Sequence, residues 1–187
     1  MCRLKRGVLL PVLFIFSISI TYSQSLNKNW KTDLQNDFAS FKSCESASED
    51  CHQYMGKSLN TVYQLNDFYD KAAREYMGVG EISDLLSSDK SWSNLGPAYS
   101  QDVLNKAQQH ANSNKAVVAV YVNQSGVGHV VMILPGTLQP SGSWGLKVPN
   151  SASFFAKQPS RSFTNKGLSY AFSKSILKDV KIYSRNY

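Results

Sequence analysis

The sequence predicts an α+β domain in which N-terminal helices pack on a small antiparallel sheet. Two patterns carry that expectation. Apolar residues recur at three- and four-residue spacing through the first part of the chain, and from Ala116 onward β-branched apolar runs are joined by glycine-containing turns. With 187 residues, 42% of them apolar and 18% charged, the chain is long enough for one ordinary domain and has the composition of a packed protein rather than a disordered one.

The first 23 residues stand apart from that domain. Met1-Cys2-Arg3-Leu4-Lys5-Arg6 is a basic start, residues 7–20 are an almost unbroken apolar stretch, and Thr21 and Ser23 place small residues at a cleavage site. This is the layout of a secretory signal peptide, leaving 24–187 as a single exported domain, periplasmic or extracellular. The apolar stretch is shorter than the roughly 20 residues that span a bilayer, so no stable membrane anchor is expected.

Further along, Trp30, Leu34, Phe38 and Phe41 mark one face of a first helix over about 27–43. The polar run 43–50 breaks the pattern and offers Ser48 or Asp50 as the N-cap of a second helix. Cys51, Tyr54, Met55, Leu59, Val62 and Tyr63 share a face of that helix, with Cys51 on its buried edge. Segments 67–77 and 99–112 read as further helical pieces, punctuated by Gly78, Gly80, Gly96 and Pro97. Residues 116–122 and 129–134 are apolar on both faces, as in central strands, and the turn between them makes a β-hairpin. A third strand is expected over 144–148 and a last one over 180–183.

The formal charge of +7 falls to +4 once Arg3, Lys5 and Arg6 leave with the export segment. No cluster of Lys and Arg with interleaved aromatics is present, which argues against a nucleic-acid partner. The remaining excess suits a protein held near an anionic polymer such as a cell wall, and equally a solvated surface mixture. The histidines and cysteines have no spacing suited to a metal, and no cofactor is expected.

Three positions form the chemically interesting constellation. A cysteine in the first turn of a helix has its thiolate favoured by unpaired N–H groups and the macrodipole, so Cys51 is the candidate nucleophile. His129 opens an apolar strand directly after Gly128 and is the candidate base. His52 points away from its neighbour Cys51, and His110 reads as a solvated residue at a helix end. If Leu134 lies opposite Trp144, His129 falls within one residue of Asn150, whose amide would orient the imidazole; Ser151 and Ser143 are alternatives. The backbone N–H of Cys51 would supply the oxyanion hole.

The Asp50-Cys51 helix start, the Gly128-His129-Val130-Val131-Met132-Ile133 strand and a following polar residue resemble the papain-like cysteine peptidase and amidase superfamily of NlpC-type and CHAP-type domains. The resemblance spans about 48–185 in element order. It departs from the NlpC pattern at His52-Gln53-Tyr54, where small residues are usual, and in the longer interval from His129 to Asn150. It implies a papain-like fold and an exported hydrolase that cleaves amide bonds of peptidoglycan peptides, with Cys51 as nucleophile, His129 as base and Asn150 as orienting residue. A cognate inhibitor protein is the further partner such an enzyme would have. Against it stands the ordinary fate of two cysteines in an exported chain: Cys44 and Cys51 can close a small disulfide loop. The protein would then be a non-catalytic binding domain whose groove, lined by Trp144-Gly145 and Phe154-Phe155, holds wall fragments or a partner.

Overall fold

The computed structural model describes residues 26–44 and 49–187. The export segment expected over 1–23 and the N-cap expected at Ser48 lie outside them. In chain order the elements are α1 (Trp30–Lys42), a 3-10 turn (Glu49–Gln53), α2 (Tyr54–Tyr63), β1 (Tyr69–Asp70), β2 (Glu75–Tyr76), α3 (Val79–Ser88), β3 (Trp92–Pro97) and α4 (Gln101–Asn112). They continue with β4 (Val117–Val122), β5 (Gly128–Ile133), β6 (Gln139–Ser141), β7 (Leu146–Val148), β8 (Asn150–Ser153), β9 (Phe163–Gly167) and β10 (Lys181–Arg185). The class is α+β, with a six-stranded sheet in the order β3-β10-β4-β5-β8-β9 whose pairings are antiparallel.

Two apolar layers hold the sheet. On one face Leu34 and Phe41 of α1, Leu59 and Val62 of α2 and Ile82 and Leu86 of α3 pack with Val118, Val120, Val130 and Met132. On the other, Leu104, Ala107 and Ala111 of α4 pack with Val117, Ala119, Val131, Ile133 and Ile182. The sheet is therefore covered on both sides, not on one as the order of elements suggested, because α4 crosses to the second face before β4 begins. The alternation of side chains along each central strand feeds both layers.

Several expected elements take another form. Segment 67–77 is a β1–β2 hairpin instead of a helix, since the Asp70 carboxylate accepts from the N–H of Ala72 and Ala73 and closes a turn. The Tyr69 and Tyr76 rings meet edge to face across it at 5.1 Å. Helix α3 was concealed by Gly80; Glu81 starts it by accepting from the Gly78 N–H at 2.7 Å. The strand expected over 144–148 belongs to a separate two-stranded ribbon with β6, and β8 takes the place beside β5.

Tyr63 ties α2 to the sheet: fully buried, it donates its hydroxyl to the Ile133 carbonyl at 2.8 Å. Removing that hydroxyl leaves a buried acceptor without its side-chain donor. Tyr63→Phe is expected to lower unfolding stability by about 1 kcal/mol with an unchanged fold, measured by urea denaturation.

Candidate functional site

The candidate site is a cleft of about 450 Å³ where the ends of β5 and β8 meet the 3-10 turn, α2 and α3. That is the size range of a small-ligand site. Met55, Met77, Val79 and Ile82 form its apolar wall, and His129, Phe155, Lys157 and Arg161 form the other. The β4–β5 turn closes one end through Gly126, Val127 and Gly128. Asn123 holds that turn by accepting from the N–H of Ser125 and Val127. Gly128 has no room for a side chain, since a Cβ would stand 2.1 Å from the Tyr121 carbonyl oxygen.

His129 stands opposite Tyr121 and shares the α4 side of the sheet with Val131 and Ile133. Its Nε2 lies 2.6 Å from the Ser153 hydroxyl, and its ring stacks on Phe155 with centroids 4.1 Å apart and meets the edge of Phe172 at 5.9 Å. Burial first, and the Arg161 guanidinium second, push the imidazole down to about 4, so it is neutral at pH 7. Ser153 is fully buried, so its hydroxyl positions the imidazole and has no access to a substrate.

The other expected site residues go elsewhere. Cys51 is bonded to Cys44, with Cα atoms 5.9 Å apart, and it lies in the 3-10 turn that precedes α2 instead of within the first turn of that helix. Cys51 also packs in the layer with Val130 and Met132, whereas His129 alternates onto the opposite face. The Cys51 sulfur is thus taken up by the disulfide, which occupies the position that a thiolate would need.

Asn150 does not orient His129. The paired positions of β5 and β8 are Val131 with Ser153 and Ile133 with Ser151, six residues on from the expected register, so Asn150 lies at the far end of the strand. There it is buried: its N–H donates to Gln108 Oε1 at 2.8 Å, its side chain donates to the Pro135 carbonyl and accepts from Gln139. Ser151 donates to the Lys166 carbonyl, and Ser143 pairs with Ser141. Trp144 is a core residue whose indole donates to the Phe172 carbonyl, while Phe154 and Phe155 do line the cleft. His52 is exposed on the cleft wall, and His110, expected in solvent, has Nδ1 2.8 Å from the buried Ser184 hydroxyl.

Ser153, the residue that does hold His129, was not singled out by sequence reasoning. The signal was the register alone, because Asn150-Ser151-Ala152-Ser153 has little of the β-branched character that announces a strand. Among the described residues, no group of three His, Cys, Asp or Glu side chains could hold a metal ion, and no helix is long and apolar enough to cross a membrane. A scan against protein-family models gives no match for this chain, and a comparison with curated protein sequences gives none either.

Two measurements test this site. Because the folded His129 pKa is depressed below that of the unfolded chain, the unfolded state binds more protons between them. The stability contributed by neutral His129 is thus full above about pH 6.5 and is lost as pH falls toward 4. Urea midpoints are expected to drop across that window, and the His129→Gln variant should show a shallower drop. Separately, the disulfide links positions seven apart, and its reduction is expected to cost about 2–3 kcal/mol of unfolding stability, read from denaturation with and without a dithiol reductant.

Proposed function

We propose that the protein is an exported, non-catalytic binding domain for a peptide of the bacterial cell wall, held in the cleft between the Met55–Ile82 wall and the His129–Arg161 wall. The observation that carries this reading is the Cys44–Cys51 disulfide, which removes the thiol from use as a nucleophile. The cleft supplies an apolar wall on one side and cationic and aromatic groups on the other, the mixture that a peptide ligand requires. Sequestration from water is not needed for such a role, and the neutral, hydrogen-bonded His129 acts as a shaped aromatic surface.

A second reading is favoured by one feature: His52, which follows Cys51 directly, lines the same cleft as His129. A papain-like cysteine hydrolase would use that proximity. Reduction by a dithiol would free the Cys51 thiol, His129 would take its proton, the thiolate would attack an amide carbonyl, the imidazolium would pass that proton to the leaving amine, and water would release the thioacyl group as a carboxylic acid. This route needs Cys51 and His129 to approach from opposite sides of the sheet end, which makes it the weaker reading.

Purified 24–187 chain incubated with peptidoglycan sacculi separates the two. The binding domain is expected to co-sediment with sacculi in its oxidised form and to release no fragment detectable by mass spectrometry. Ala156→Trp, which fills the cleft from a half-buried position, should weaken co-sedimentation at least about tenfold without changing circular dichroism. Soluble fragments released by the reduced wild type and absent from Cys51→Ala would reverse the order of the readings.

A further inference from the structure

The cleft has a sign. Lys157 and Arg161 line it, and among the described residues no Asp or Glu does. Arg161 ends the Pro159–Arg161 turn, with its guanidinium carbon 4.7 Å over the Phe155 ring and its Nη1 donating to Gln158 Oε1 at 2.9 Å. The ion pairs found among the described residues join Lys57 to Asp37 and Arg185 to Asp67, and neither involves the cleft. Arg161 is exposed, so it can meet a ligand, and the aromatic stack sets the plane of its donor fork. A fork with one donor engaged by a neutral amide keeps capacity for a two-oxygen acceptor.

Resting on the proposed use of this cleft, we propose that its Arg161–Phe155 end is a carboxylate subsite, and that the ligand is a short peptide acid with small apolar side chains. The planar guanidinium matches a carboxylate through two parallel N–H···O bonds, which a neutral amide terminus cannot accept in the same way. Met55, Met77, Val79 and Ile82 on the facing wall receive the apolar body of the peptide. Phe155 carries both Arg161 and His129, so a carboxylate placed on Arg161 partly neutralises the positive charge that His129 senses. Binding and the proton affinity of His129 are therefore coupled, and the histidine reports occupancy.

The probes are N-acetyl-alanyl-alanine and its C-terminal amide, which differ in charge and little else. Each is titrated into isotope-labelled protein while the amide signals of Gly126, Gly128 and Ala156 and the ring signals of His129 are followed. The acid is expected to bind about tenfold or more tightly than the amide, the scale of charge-assisted hydrogen bonds. Arg161→Gln should reduce the acid to the amide's level, and the acid alone should raise the pH at which the His129 ring titrates. Equal binding of acid and amide, an Arg161→Gln variant that keeps the preference, or no binding of either at millimolar concentration overturns the subsite. Its failure is distinct from failure of the cleft itself, since sacculus binding that Ala156→Trp still abolishes leaves the cleft in use, whereas binding indifferent to that substitution does not.

Discussion

Strands β4 and β5 are buried on both faces, with Val118, Val120, Val130 and Met132 against α1–α3 and Val117, Ala119, Val131 and Ile133 against α4. No side chain there can change face without emptying one layer and overfilling the other, because interiors are close-packed and the strand period is two. His129 takes its side from this constraint: two residues before Val131, it faces the α4 layer. Cys51, carried into the opposite layer by the turn before α2, takes its side from the same packing. The faces that Cys51 and His129 occupy are thus set by the core and not by either residue's own chemistry.

The sheet ends differ in kind. At the Asn150 end, Gln108 accepts from the Asn150 N–H and donates to the Leu134 carbonyl, bridging β5 and β8, with Asn150 and Gln139 completing a buried amide network. The buried Gln108 and Asn150 side chains spend their hydrogen bonds on the fold, as buried polar groups must. At the His129 end, the chain leaves the sheet through Phe154 and Phe155 and returns by way of Arg161, so side chains face open volume. Asn150 and His129, alike as candidates in the sequence, occupy opposite ends of the β5–β8 pair, the first inside the amide network and the second beside the cleft.

Where the fold was legible, the reason was periodicity. The 3.6-residue recurrence of Trp30, Leu34 and Phe41 and the two-faced apolar runs at 116–122 and 129–134 mark α1, β4 and β5 to within a residue or two, because each buries a large area. The β1–β2 hairpin and α3 were not legible, because each is set by a few backbone N–H groups donating to the carboxylates of Asp70 and Glu81, which override weak local patterns. The register of β8 failed to follow from loop length because a separate ribbon, β6–β7, intervenes. In the candidate site, the residues His129, His52 and Phe155 were visible one by one, whereas their meeting with Arg161 across a turn of the chain was not.

By itself the sequence determined the α+β class, the central hairpin and the presence of two cysteines close enough to pair, because these depend on contacts local in the chain or on hydrophobic period. Tertiary structure decided the rest: which sheet face His129 occupies, that Ser153 and not Asn150 holds it, and that Arg161 and Lys157 line the cleft beside it. Those outcomes depend on strand register and layer packing, which are properties of the whole sheet and are written in no single segment.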